Sequence, residues 1–312
     1  MLTVVVTRKY HETDAVCVIE LADAQGRPLP PFSAGAHIDL HLGEQWVRQY
    51  SLCNAPSERH RYVIAVQRDS QSRGGSRWLH DHLQRGQLLT ASPPRNHFTL
   101  HPSPATHVLV AAGIGITPLL SMAHALAQRG DPFELHYRTR GATRVALLAH
   151  LQEHFAGQLQ LYPDRASFTR AALPGAARPD RHLYVCGPPA FMEQMLGTSR
   201  GLGWAPGNLH REYFTSAGHS HATEGAFEVQ IASSGAIYPV APHQSVYDVL
   251  AAAGVAVPIS CGKGICGACL TGVRSGVVDH RDQVLSEEEQ ARNDLFTPCC
   301  SRALSARLVL DL

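Results

Sequence analysis

Five of the eight cysteines crowd the C-terminal end of the chain: Cys261, Cys266, Cys269, Cys299 and Cys300. The first three are spaced Cys261-x4-Cys266-x2-Cys269, and Cys299 follows after 29 intervening residues. That is the plant-type [2Fe–2S] ligand spacing, with three thiolates on one tight loop and the fourth from a distant strand. Gly262, Gly264 and Gly267 lack Cβ atoms, so the loop can wrap closely and aim amide N–H groups at the cluster sulfurs. A structural zinc site would show two C-x2-C knuckles, and the x4 spacing is wrong for that. Cys299 and Cys300 compete for the fourth place. As adjacent residues on a strand they point to opposite faces, so only one can reach the cluster. Cys17, Cys53 and Cys186 stand alone and read as buried thiols.

A second constellation is the run VLVAAGIGITPLLSMAHAL, a strand, a glycine turn and a helix. Gly113-x-Gly115, followed by Thr117-Pro118, puts a helix start at the end of a strand, where free amides and the positive dipole end favour a pyrophosphate. Alone it is weak, because the third glycine of the dinucleotide fingerprint is missing. LYVCGPPAFM supplies a partner, another apolar strand ending in Cys186-Gly187-Pro188. Two such turns at strand ends of one parallel sheet define a ligand crevice. After Phe133–Tyr137 comes RTRGATR, where an acidic residue would grip the ribose of NAD; Arg138 and Arg140 suit a 2′-phosphate instead.

Nearer the N-terminus, Arg48-Gln-Tyr50-Ser51-Leu52 ends a strand before the turn at Asn54–Pro56. An aromatic flanked by a cation and a hydroxyl can stack on a flat ring while donating to its edge. Ser72-Arg73-Gly74-Gly75-Ser76-Arg77 then opens a helix, and helix-start amides with Ser76 and Arg77 make a compact phosphate site. Taken alone, Arg-x-Tyr-Ser reads as an ordinary strand with an exposed charge. Its weight comes from the order of the motifs, upstream of a nucleotide turn and a cysteine loop.

These residues need elements to hold them. Short strands with frequent turn signals (Leu2–Thr7, Ala15–Leu21, His37–Leu42, Arg48–Leu52, Tyr62–Gln67) predict a small antiparallel barrel over residues 1–102. Residues 103–220 alternate strands (His107–Ala112, Phe133–Tyr137, His182–Cys186) with helices (Thr117–Gln128, Arg144–Phe155), the pattern of a parallel α/β sheet. A Gly/Ser/His-rich linker after Tyr213 leads to residues 221–312, an α+β domain with strand pairs, a short helix (Ser245–Ala253) and the cysteine loop. A chain of 312 residues is long enough for several cores. Hydrophobic residues make up 44% and charged residues 17%, and the net charge is +1, so no basic field exists for a nucleic acid or lipid surface. No apolar stretch reaches membrane-span length, and the N-terminus lacks a signal-peptide pattern, so a cytoplasmic location is expected.

The ordered series Arg-x-Tyr-Ser, Gly-Gly-Ser, Gly-Ile-Gly-Ile-Thr-Pro, Cys-Gly-Pro and C-x4-C-x2-C…C resembles the phthalate dioxygenase reductase family across the whole chain. The resemblance implies a ferredoxin-reductase-type antiparallel β-barrel, a Rossmann-like NAD domain and a C-terminal β-grasp plant-type ferredoxin. It implies that Tyr50 and Ser51 contact a flavin ring with Arg48 nearby, and that Ala65, Val66 and Gln67 run along it. Gly74, Gly75, Ser76 and Arg77 would hold its phosphate, and Thr117 would lie close to the ring. Gly113, Gly115, Gly187 and Pro188 fall to the nucleotide, and Cys186 and Thr117 to the nicotinamide pocket. His210-Arg-Glu212-Tyr-Phe214 matches a family pattern whose aromatic, here Phe214, covers the flavin. The metal ligands become Cys261, Cys266, Cys269 and Cys299, with Cys300 in place of the family's valine.

By the same resemblance the cofactors are FMN, NADH and one [2Fe–2S] cluster, with a Rieske-type oxygenase as partner and a monomer as the expected state. NADH gives two electrons together while the cluster takes one at a time, which a flavin reconciles. No general base is required, so the 19 histidines are expected to be mostly solvated surface residues. Reduction of a haem monooxygenase or a carnitine-type Rieske enzyme, and a redox-sensing iron–sulfur module, are the alternatives.

Overall fold

The computed structural model describes residues 1–43, 46–69, 74–102, 106–139, 145–170, 175–214 and 225–312. Ser72, Arg73, Arg140, Arg144 and the linker of residues 215–224 lie outside them, as does the expected boundary at 220/221. The chain divides into two units, Met1–Phe214 and Thr215–Leu312.

In the first unit, β1 (Leu2–Thr13), β2 (Val16–Asp23), β3 (His37–Leu42), β4 (Trp46–Ser51), β5 (Tyr62–Gln67) and β6 (Leu88–Ala91) form an antiparallel sheet in the order β4-β3-β6-β1-β2-β5. Its end strands are drawn together: the Cys53 N–H donates to the Val63 carbonyl (2.8 Å) and the Val63 N–H to Asn54 Oδ1 (2.9 Å). The expected barrel is thus present. Strand alternation sends Ile19, Leu21, Ile38, Leu40, Tyr62 and Ile64 into its core. Helix α1 (Gly75–Asp81) sits between β5 and β6 in the chain.

The α/β half follows as β7 (Thr106–Ala112), α2 (Ile116–Arg129), β8 (Phe133–Arg138), α3 (Leu148–Phe155), β9 (Leu159–Tyr162), α4 (Arg165–Arg170), β10 (Arg181–Cys186), α5 (Pro189–Gly201) and β11 (Leu209–Glu212). All five strands are parallel, in the order β11-β10-β7-β8-β9. Strand order reverses between β7 and β10, so the crevice outside their carboxyl ends is the ligand position of this topology. Strand β7 is apolar on both faces because both are covered. Leu109 and Ala111 share a core with Leu119 and Met122 of α2 and with Val16, Val18 and Ala65 of the barrel, while Val108 and Val110 pack with Phe191 and Met192 of α5. Barrel and parallel sheet are therefore welded by one core within this unit.

The histidines do not behave as expected. His37, His80, His107, His136 and His182 are buried. On one face of the parallel sheet His101 stacks on His182 (centroids 4.0 Å apart), His210 stacks on Tyr184 (4.4 Å), and His182 Nδ1 lies 2.9 Å from His210 Nε2. A neutral imidazole is flat and hydrogen-bonding, so it packs inside where a charged one would not.

The second unit contains β12 (Phe227–Ile231), β13 (Ile237–Val240), α6 (Val246–Ala252), β14 (Thr271–Ser275), β15 (Val278–Asp279), α7 (Glu287–Arg292), β16 (Leu295–Phe296), β17 (Arg302–Ala303) and β18 (Arg307–Leu310). The main sheet runs β13-β12-β18-β14-β16, with β12 parallel to β18, and β15 pairs β17 apart from it. Ser245 caps α6 by accepting the Asp248 N–H (3.0 Å), and Val246 and Leu250 of α6 pack with Phe227, Val229 and Leu308. A helix laid on a mixed sheet with parallel first and last strands is the expected β-grasp. Among the described residues, no helix is long and apolar enough to cross a membrane.

Candidate functional site

At the crevice, the turns after β7 and β10 press directly on each other. A Cβ on Gly115 would run into the Cys186 carbonyl, and one on Gly187 would stand 2.9 Å from Ala112 Cβ. Only glycine permits this approach, so the two motifs are one structure. Gly113 and Pro188 remain exposed at its mouth. Thr117 is buried and donates its hydroxyl to the Ile114 carbonyl (2.9 Å), fixing the first turn of α2. The Cys186 thiol is fully buried, and burial pushes its pKa well up, so it is a neutral wall group. Arg138, at the end of β8, holds its guanidinium over the Phe191 ring, 4.7 Å from the centroid.

The barrel motifs meet at the start of α1. Gly74 (φ 111°) lies under the Trp46 indole, and a Cβ on Gly75 would be 2.9 Å from Arg48 Cγ. The first turn of α1 has no acidic residue and no side-chain cap. The backbone amides that open α1, with the Arg48 side chain alongside, suit a phosphate. Ser76 Oγ accepts the Asp69 N–H (3.3 Å), and Arg77 is exposed. Tyr50 leans on the barrel core, and burial raises its phenol above the usual range. Along β5 the side chains diverge: Ala65 enters the shared core, Val66 the barrel core, and Gln67 reaches solvent. What Ala65 and Val66 can offer a flat ring is backbone.

A side-chain hydrogen bond links the Arg-x-Tyr-Ser strand to the crevice. Ser51 Oγ donates to Glu212 Oε2 (3.1 Å), and His37 Nδ1 is 3.9 Å from Glu212 Oε1. Glu212 pairs in register with Cys186 across the sheet. Burial pushes its carboxyl up to about 8, against the lowering effect of the Ser51 hydrogen bond. Phe214 packs beside the shared core. Sequence reasoning quoted Glu212 within a motif but gave it no role, and His37 carried no signal beyond being an inward residue on a strand.

In the second unit the sulfurs converge. Cys269 Sγ and Cys299 Sγ are 3.4 Å apart, and Cys261 is close enough to interact with Cys266 and Cys299. The Lys263 N–H donates to Cys261 Sγ (3.3 Å) and the Ala268 N–H to Cys266 Sγ (3.4 Å), the amide donors anticipated from the glycines. Four gathered thiols with backbone donors fit a [2Fe–2S] cluster. One expectation needs correction: residues 298–300 form a turn, not a strand, so Cys300 is not turned to the opposite face.

Residues 229–304 match the 2Fe-2S iron-sulfur cluster binding domain family. Vanillate O-demethylase oxidoreductase of Pseudomonas sp. (strain HR199 / DSM 7063) is 45% identical over 317 residues, covering 100% of both chains. Among solved structures, phthalate dioxygenase reductase, described as a modular structure for electron transfer from pyridine nucleotides to [2Fe–2S], is 38% identical with a TM-score of 0.72, over 100% of this chain and 98% of that one. An intact type IV self-sufficient cytochrome P450 monooxygenase is 37% identical with a TM-score of 0.90; the match takes in 100% of this chain and 41% of the P450 chain.

Proposed function

Because this chain belongs to the family of vanillate O-demethylase and phthalate dioxygenase reductases, we propose that it is an NADH-dependent reductase that passes electrons through FMN and a [2Fe–2S] cluster to a Rieske-type oxygenase acting on an aromatic acid. The oxygenase would hydroxylate or O-demethylate that acid. The observation that carries the electron path is the Ser51–Glu212 contact, which brings the ring-binding motif of the barrel to the mouth of the nucleotide crevice. When bound, FMN would supply the conversion between the two-electron chemistry of a nicotinamide and the one-electron chemistry of a [2Fe–2S] cluster.

The chain's own residues position and insulate. Gly74, Gly75, Ser76, Arg77 and Arg48 hold the flavin phosphate; Tyr50, Ser51, Phe214 and the β5 backbone (Ala65, Val66, Gln67) embrace the ring. Gly113, Gly115, Gly187 and Pro188 admit the pyrophosphate, and Thr117 and Cys186 line the nicotinamide side. Glu212, protonated near neutrality, adds no negative charge where hydride must approach. Cys261, Cys266, Cys269 and Cys299 bind the cluster. In functional terms residues 1–102 hold the flavin, 103–220 the nucleotide and 221–312 the cluster, in a cytoplasmic monomer.

Anaerobic titration with NADH and then NADPH, followed by visible absorbance, tests the reading. Bleaching of both flavin and iron–sulfur bands by NADH supports it; protein with neither band, or unresponsive bands, overturns it. A second reading, a haem monooxygenase as acceptor, is favoured by the likeness to the self-sufficient P450. Product formation with a Rieske component but not with a haem component separates the two.

A further inference from the structure

The turn that carries the fourth cluster ligand holds two thiols. The Cys299 sulfur lies 3.4 Å from that of Cys269, and Cys300 follows it in the same turn. A Cβ on Gly264 would collide with the Cys300 sulfur, so this thiol fronts the ligand loop between Cys261 and Cys266. The buried Asp282 lies on the same side of Gly264, and the hydrogen-bonding neighbours of Cys300 Sγ among the described residues are Thr297 Oγ1 at 3.3 Å and Ser301 Oγ at 3.9 Å. Both are weak partners for sulfur and leave it available to a metal. Five thiols thus surround a group that takes four.

We propose that Cys300 is a reserve ligand of the [2Fe–2S] cluster, taking over the iron held by Cys299 when residue 299 no longer offers a sulfur. One Fe–S bond forms, to Cys300 Sγ, in place of the one that residue 299 can no longer make. The Cys300 proton leaves to solvent, and no electrons are transferred. A turn allows this where a strand would not, because the Cys300 sulfur already stands against Gly264 of the ligand loop and a change of staggered well at Cys300 redirects its Sγ. The inference rests on the cluster domain alone and not on the identity of the electron acceptor.

Full-length protein with Cys299→Ser, with Cys300→Val, and with both substitutions tests it, by iron content, visible absorbance and the EPR spectrum of the reduced state. Cys300→Val alone keeps the wild-type iron and spectrum. Cys299→Ser keeps more than half the iron, with all-thiolate absorbance. The double variant loses the cluster or shows the blue-shifted absorbance of an oxygen ligand. Equal iron and identical spectra in Cys299→Ser and the double variant overturn the proposal. Cys299→Ala, with and without Cys300→Val, repeats the comparison with no oxygen at position 299, and iron lost equally from both also overturns it. Wild-type protein without any [2Fe–2S] signal would instead overturn the cluster assignment itself.

Discussion

Ser51 and Glu212 meet at 3.1 Å, and that contact makes two single-atom predictions. Folding raises the Glu212 carboxyl from its ordinary 4.5 to about 8. A raised folded value means that the folded state binds more protons, so the associated stability is present below pH 4.5 and is lost as pH climbs through about 8. Glu212→Gln should abolish that loss: its stability relative to wild type rises between pH 5 and pH 8 by up to a few kcal/mol (about 1.4 kcal/mol per pKa unit), read by denaturant melts. Ser51→Ala should slow flavin reduction by NADH about tenfold, the equivalent of one hydrogen bond of about 1.4 kcal/mol, in stopped-flow traces. Wild-type rates in that variant would detach the contact from hydride transfer. Ser51 was legible as part of a motif. The protonation state of Glu212 was not, because it depends on burial beneath a barrel residue 161 positions away in the chain.

Between elements, the pressure of one glycine turn on another is the decisive contact. Gly115→Ala must push its methyl into the Cys186 carbonyl, and backbone cannot yield as a flexible side chain can. The expected cost is about 1–3 kcal/mol of stability, with a raised KM for NADH; an unchanged melt would contradict the packing. The histidine layer acts on a second element-scale property, acid stability. Burial holds His107 and His210 down to about 4, and His182 is lowered as well. Depressed folded values give stability that is present above the ordinary 6.5 and lost as pH falls through about 4. Acid unfolding below pH 6 should therefore be blunted in His107→Leu, a rise that a flat pH profile in both proteins would refute. The strands that hold the glycine turns could be read from the sequence because buried parallel strands are continuous apolar runs, as in His107–Ala112. Strand β6 escaped because it is four residues long with Leu88 facing solvent, and the distal half of β1 escaped because RKYHET is polar; register with β2 keeps it in the sheet. The buried histidines escaped for a related reason, since a side chain that tolerates both water and core leaves no periodic trace.

For the molecule as a whole, core boundaries rather than motif order decide what can be separated. Barrel and parallel sheet share Val16, Val18 and Ala65 with Leu109 and Leu119, so a cut at the sequence boundary near residue 102 would expose that common core. Residues 225–312 keep a core of their own, with Phe227, Val229, Leu250, Phe296 and Leu308 packed together. A chain ending at Phe214 should therefore purify yellow and oxidise NADH with ferricyanide at near wild-type rates, because every residue proposed to hold flavin and nucleotide lies within it. It should transfer no electrons to an oxygenase, since every cluster ligand is beyond its end. A chain ending at residue 102 should be insoluble or unfolded, its interdomain apolar face bare. Oxygenase turnover by the shorter reductase would mean that flavin can reach the acceptor directly. That result would leave the family assignment standing while removing the cluster from the obligatory path.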